Sequence, residues 1–325
     1  MAKLLVSAIG RLCARALTGL GTLAVVAVIV FLTMHGLAGS FAQIYLGPTA
    51  TPSSVHALEV HYGLTASVWT QLGRWLIGIV HLHFGVSLVS GQAVGAILGK
   101  RLGVTIELAL LATAVAVAGG VTIGCAVGMA ETTTRRREDV LRGFSAMSVS
   151  VPDFVIGSGI VYLISRFPAL GFRVGSYTPV SEDPLRNLRD VILPVITLAV
   201  FPAALIVRTL RDSVRTVKSE QYVVAAMVRG ETTAQIVRRH ILRNALLPTI
   251  TVIATSFGYL LGGAVIVETV FDLPGMGQEL ISAISNRDYN VVQAEVVIGA
   301  GAFIAVNMLS EWLYSVVDPR LRRRA

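Results

Sequence analysis

Residues 220–248 read EQYVVAAMVRGETTAQIVRRHILRNALLP, a polar, arginine-laden block wedged between long apolar runs. Two short helices fit it. Ser219 stands where a first helix takes its N-cap, Glu220 falls in the opening turn facing the positive end of the dipole, and Arg229 with Gly230 closes the helix. Thr232 or Thr233 caps a second helix, which Pro248 interrupts or redirects. Val223, Val224, Ala226 and Met227 give the first helix a small, mostly apolar face ringed by charge.

What flanks this block sets the class of protein. Of 325 residues, 54% are hydrophobic and only 14% charged, with a mean hydropathy of +0.72. An ordinary soluble domain carries about a quarter charged residues, so this is a membrane protein. The net charge of +8 does not point to nucleic acid, because the arginines flank apolar spans instead of forming one basic face. Cys13 lies in the basic N-terminal stretch and Cys125 in an apolar span, so a disulfide between them is not expected. The basic start and apolar core of the N-terminus read as an uncleaved first span, since no small-residue cleavage site follows a short apolar region.

A membrane-spanning helix needs about 20 mostly apolar residues. Six windows meet or approach that: Leu17 to Leu37, Val104 to Ala130, Gly143 to Ser165, Val191 to Val207, Ala245 to Val267 and Tyr289 to Val317. The fourth is barely long enough alone. Six spans place both termini on one side. The tails, the 131–142 loop and the 208–248 loop together hold 19 Lys and Arg, against 8 in the opposite connections. The positive-inside rule therefore puts both termini and the 220–248 block in the cytoplasm. The connection 166–190 fits least well, with four arginines accompanied by Glu182, Asp183 and Asp190. In the long segment 38–100, Tyr62, Trp69 and Trp75 suit the membrane interface, and Trp75 to Val80 reads as an amphipathic helix lying on the surface. Pro152, Pro194 and Pro202 are expected to bend the third and fourth spans. Pro274 and Gly275 suit the central positions of a type II turn that folds the chain back at the outer face.

The central block resembles the cytoplasmic loop of ABC importer permeases, with Ala225, Ala226, Gly230 and Pro248 matching that family's pattern and Val224 departing from it by replacing a Glu. Tyr222, Arg239-His240 and Asn244-Ala245 make the block similar to the dipeptide, oligopeptide and nickel branch, in its B-type subunit. The likeness extends to Phe84-Gly85 with Ser87-Leu88, to Glu268, Phe271, Pro274, Gly275 and Gly277, to Arg287 through Gln293, and to Glu311 and Asp318-Pro319-Arg320. It implies an all-α polytopic fold with six transmembrane helices in a bacterial plasma membrane. It also implies a tail and first span over 1–37, an external segment over 38–103, a permease core over 104–317 containing the coupling loop 208–248, and a tail over 318–325. In such a family the short helix, with Tyr222, Ala225, Ala226, Gly230, His240, Asn244 and Pro248, docks on an ATPase and passes its motion to the membrane domain. The implied partners are a second homologous permease, two ABC ATPase subunits or one fused pair, an extracytoplasmic binding protein and membrane lipid, with no nucleic acid. ATP and Mg belong to the ATPases, and this chain binds no cofactor. The implied cargo is a di- or oligopeptide; nickel or another small solute is the alternative, and a stand-alone secondary carrier is a rival for which no internal repeat speaks.

No enzyme signature competes. Gly99-Lys100 lacks the earlier glycine and the following Ser or Thr of a phosphate-binding loop. His56, Glu59 and His61 miss zinc-protease spacing because Val60 occupies the needed position. Ser158, between Gly157 and Gly159, has only His35 as an intramembrane base. Asp153, directly after Pro152, reads as a mid-span acid facing a substrate path, since a charge at mid-bilayer costs about 2.5 kcal/mol or more and is rarely left unpaired; the other reading is a structural pair. Glu107, Glu268, Glu295 and Glu311 lie nearer span ends. Gly91, Gly95 and Gly99 form a small-residue ladder outside any span, which reads as coincidence.

Overall fold

Apolar runs of this length, in lipid, have to satisfy their backbone groups internally, and helices dominate the result. The computed structural model describes residues 2–36, 41–130 and 151–317, with side chains over 15–36, 41–130, 151–262 and 264–309. Among these residues there is no strand, only an isolated bridge between Val86 and Ala93. The helices in chain order are α1 (Ala2–Gly36), α2 (Phe41–Leu46), α3 (Pro52–His61), α4 (Val68–Val80), α5 (Val94–Met129), α6 (Asp153–Arg166), α7 (Pro184–Lys218), α8 (Gln221–Val228), α9 (Thr233–Ile236), α10 (Leu242–Gly263), α11 (Val265–Val270), α12 (Met276–Ser285) and α13 (Tyr289–Val317). A π-helical turn, Val237–Ile241, joins α9 to α10.

Among the described residues, five stretches are long and apolar enough to cross a bilayer: Arg15–Gly36, Val94–Met129, Pro184–Lys218, Thr233–Gly262 and Tyr289–Leu309. Of the expected third span, residues 143–150 lie outside the described residues. What is described is α6, whose 14 residues cover about 21 Å at the helical rise of about 1.5 Å per residue. The loop 131–142, the side chains of Cys13 and Glu311, and Asp318 to Arg320 also lie outside the described side chains.

The fourth span is far longer than its apolar core. Asp183 caps α7 by accepting from the amides of Leu185 and Arg186 at 3.1 Å, Pro184 occupies the first turn, and the helix runs 35 residues through Pro194 and Pro202. Pro248 does not end a helix either: α9, the π turn and α10 follow one another to Gly263, with Pro248 inside α10. An internal proline is tolerated in membrane helices because local π adjustments and neighbours re-satisfy the freed carbonyl.

The described residues form two compact units, one from Met1–Thr105 with Pro274–Ile304 and the other from Ile106–Leu273 with Ala305–Ala325. In the first, α4 is longer than the expected helix at Trp75 to Val80 and packs one face while leaving Trp69, Ile77 and Val80 exposed. Leu72 and Trp75 are buried against Ala27, Phe31 and Val297, so Trp75 is core, while Trp69 is 72% exposed. A second cluster gathers Met34, Phe41, Leu88, Val94, Leu98 and Tyr289. Val94 and Leu98 are its reason for extending α5 ten residues ahead of the expected start at Val104. Asp288, 3% exposed, accepts from Ser87 Oγ and from the amides of Leu88 at 3.1 Å and Val89 at 3.4 Å. That carboxylate closes the Phe84–Leu88 loop on the start of α13.

The Gly91, Gly95 and Gly99 ladder, expected to be coincidence, meets no neighbour; a glycine ladder that does meet one lies in the second unit. Gly95 and Gly99 face open space, whereas Gly120, Gly124 and Gly128 of α5 meet Ile206, Leu210 and Val214 of α7. Two ladders at four-residue spacing thus interlock, as small residues permit between membrane helices.

Candidate functional site

The 220–248 block follows the C-terminal end of α7 and leads into α10. Helix α7 runs to Lys218, so Ser219 is its C-cap, with its hydroxyl donating to Thr216 O, and Glu220 is the N-cap of α8 without a side-chain bond. The expected Ser219 cap is thereby corrected: the preceding helix has already used that residue. The other end follows expectation. Gly230 at φ +80° donates to Met227 O at 3.0 Å and Glu231 N to Ala226 O at 3.2 Å, a Schellman closure. Thr232 and Gln235 form a capping box that starts α9.

Helix α8 has two faces. Val223 and Ala226, both fully buried, pack on Leu210, Val214, Ile236, Ile241 and Ala245. Tyr222, Val224, Ala225, Met227 and Val228 point outward, Val228 being 83% exposed. Val223, Val224, Ala226 and Met227, expected on one face, are split by the packing, because residues three apart share a side and neighbours do not.

A polar network ties the block together. Asn244 Nδ2 donates to Tyr222 OH at 2.8 Å and to His240 O at 3.0 Å, His240 Nε2 meets Glu231 Oε2 at 2.9 Å, and Arg229 Nη2 donates to Glu231 Oε1 at 2.9 Å. Bonds from Arg229 and His240 hold the Glu231 carboxyl below the ordinary carboxylate range. Tyr222, Gly230, His240 and Asn244 are thus brought together with Ala226 beneath them, while Pro248 sits exposed further along α10 and Ala225 faces outward. Glu231 was missed by sequence reasoning. Its partner is nine positions away across a turn, a separation with no helical or strand period to betray it.

The remaining candidates lie outside this block. Pro152 is the N-cap of α6 and Asp153 its first residue, half-buried in the opening turn where the helix dipole favours an acid, not at the middle of a helix as expected. Glu268 is fully buried and Phe271 is 4% exposed, its ring against Gly157. The reversal after Phe271 is made by Asp272 at φ +53°, with Leu273 N donating to Glu268 O at 2.8 Å. Gly275, at φ −92° and ψ −179°, is the extended N-cap of α12, so the expected type II turn at Pro274–Gly275 does not form. A type II turn needs positive φ at its third position. Gly277 is buried in the first turn of α12 and Met276 N donates to Thr105 Oγ1 at 2.9 Å. The ring of His35, the candidate base for Ser158, is engaged by Phe31 O at 2.9 Å and Gln71 Oε1 at 3.1 Å.

Residues 120–323 match the family described as "Binding-protein-dependent transport system inner membrane component". The chain belongs to that family of ABC importer permeases. A probable peptide ABC transporter permease of Sinorhizobium fredii is 34% identical over 311 residues, covering 95% of this permease and 97% of the relative. A putative peptide transport system permease of Brucella abortus is 35% identical, with 92% and 94% covered. A glutathione transport system permease of Salmonella paratyphi A is 32% identical, with 93% and 95% covered. Among solved structures, an amino acid ABC transporter crystallised with histidines aligns at 18% identity with a TM-score of 0.48, covering 71% of this permease and 94% of that chain. The permease is therefore a multi-pass, all-α inner-membrane subunit of an ABC importer, and its relatives are transport subunits, not enzymes.

Proposed function

We propose that the permease forms half of the translocation path of an ATP-driven importer of di- and oligopeptides. Its relatives named for peptide transport, matched over nearly the whole chain, carry this reading. A second homologous permease completes the path, two ABC ATPases or a fused pair hydrolyse ATP with Mg on their own subunits, and an extracytoplasmic binding protein delivers cargo. This chain needs no cofactor. Both termini and the 208–248 loop face the cytoplasm, six spans cross the membrane, and the divisions 1–37, 38–103, 104–317 and 318–325 follow from that count.

Coupling runs through α8. Its outward Tyr222, Val224, Ala225, Met227 and Val228 meet the ATPase, while Val223 and Ala226 fasten it to α7 and α10. A rigid attachment of this kind converts motion of the ATPase into motion of two spans, and differential contacts in two states then shift the population between inward- and outward-facing forms. Exposed apolar Val224, where the family has Glu, selects an ATPase groove with an apolar floor. Asp153 and Pro152 line the path, and Asp153→Asn lowers uptake of peptides bearing a free ammonium; unchanged uptake by a fully assembled complex refutes that role.

A second reading, glutathione import, is favoured by the Salmonella relatives, and glutathione is itself a tripeptide. Ligand-stimulated ATP hydrolysis by the complete complex, against a panel of peptides, glutathione and nickel, tests both. Stimulation by nickel alone, or by nothing in the panel, overturns peptide import.

A further inference from the structure

The connection 166–190 carries arginines that suit neither topology nor coupling, and the structure gathers three of them. A cavity of about 610 Å³ at the start of α7 is lined by Gly171, Phe172, Arg173, Arg186, Arg189 and Asp190. None of the three arginines makes an ion pair among the described residues. Arg189 is nonetheless placed. Its guanidinium lies 6.0 Å from the centre of the Phe172 ring and against Gly171, where a side chain would collide with Nη2. Asp190 Oδ2 is buried without a hydrogen-bond partner, an arrangement that costs free energy unless a donor arrives. α7 is 35 residues long, so at the helical rise this cavity lies about 50 Å along the helix from the coupling block.

From these groups we propose that the cavity is a receiving site for a zwitterionic peptide, with Arg186 and Arg189 taking its carboxylate and Asp190 its ammonium. Planar guanidiniums match a carboxylate with two parallel bonds, and a single buried acceptor beside them answers the opposite charge. A simple anion satisfies the arginines but leaves Asp190 Oδ2 unpaired and adds a repulsive neighbour; a molecule carrying both charges satisfies all of them. The proposal rests on the peptide-import reading for its cargo, and its place at the end of α7 remote from the ATPases suits arrival from the binding protein.

Equilibrium binding of labelled trialanine, its C-terminal amide and its N-acetyl form is measured on the complete complex in lipid nanodiscs, without binding protein. Wild type prefers trialanine over either blocked form by about ten- to a hundredfold, the range set by a hydrogen bond to a charged group. Arg186→Gln with Arg189→Gln abolishes the preference over the amide, Arg186→Lys retains part of it, and Asp190→Asn abolishes only the preference over the N-acetyl form. Equal binding of all three peptides by wild type, or variants that weaken phosphatidylglycerol binding while leaving the peptide preferences intact, overturns the proposal. ATP-driven uptake by the same complex with binding protein reports separately on peptide import: normal uptake with no preference at the cavity defeats the site alone, and a retained preference with no peptide uptake defeats the transport reading alone.

Discussion

Gly120→Ala and Gly119→Ala differ by one position on α5 and are expected to act in opposite directions. An added Cβ at Gly120 lies 2.6 Å from Ile206 Cγ2 and 2.8 Å from Ile206 Cβ, with Ala203 O at 3.3 Å, whereas at Gly119 nothing lies within 4 Å. Ile206 is fully buried and β-branched, so its Cβ is held by the backbone and the helices have to part. Overpacking of this kind costs about 1–3 kcal/mol. Replacing glycine by alanine inside a helix returns about 1 kcal/mol, and that gain is common to both sites. The net expectation is about 0–2 kcal/mol of destabilisation for Gly120→Ala and up to about 1 kcal/mol of stabilisation for Gly119→Ala. The difference between the variants, about 1–3 kcal/mol, isolates the contact. Unfolding of the purified permease by a denaturing detergent, followed by circular dichroism, gives both values. Combining Gly120→Ala with Ile206→Ala removes the obstructing methyl and makes the two changes non-additive. If Gly120→Ala proves as stable as Gly119→Ala, α5 and α7 do not meet at this ladder.

Gly230→Ala, at φ +80° and with open space around its Cβ, costs about 1–2 kcal/mol of backbone strain, and Gly230→Pro, whose ring cannot adopt that angle, uncouples ATP hydrolysis from uptake in the reconstituted complex. Asp288→Ala strands the buried amide of Leu88 and loosens the Phe84–Leu88 loop, lowering stability in detergent unfolding by about 2–3 kcal/mol, while Asp288→Asn costs less. The Glu231 carboxyl, lowered by Arg229 and His240, adds stability above its unfolded pKa of about 4.3 and loses it as pH falls through that value toward the folded one. Amide protection across 219–232 is therefore expected to drop below about pH 4 in the wild type, whereas Glu231→Gln shows the lower protection already at pH 7 and no such drop. Tyr177, whose phenol is pushed well above its ordinary value by burial and then by the Glu107 carboxylate it bonds at 2.7 Å, stays protonated in a spectrophotometric titration at pH 11 and titrates earlier in Glu107→Gln.

Several features were legible without coordinates because they depend on local chemistry. Gly230 after Arg229 announced a helix end, Thr232 or Thr233 announced a start, and uncharged runs of lipid length announced helices. Where the structure differs from the sequence reading, a competing signal won. Trp75 is buried because Phe31 and Ala27, distant in sequence, pack on it; Ser219 lost its cap role because α7 continued to Lys218, and Asp272 took the reversal assigned to Pro274–Gly275 because a Schellman closure reached it first, two local competitions between neighbouring signals.

The amino-acid sequence by itself determined an all-helical membrane protein and the two short helices of the 220–248 block, since hydropathy, proline, glycine and capping residues act within a turn or two of where they stand. Which side of α8 faces outward, which glycines seat a neighbouring helix, and that Glu231 meets His240 or that Arg189 leans on Phe172, were decided by tertiary structure. Those choices depend on which residues from distant parts of the chain arrive within contact distance, and no periodicity along the sequence encodes that arrival.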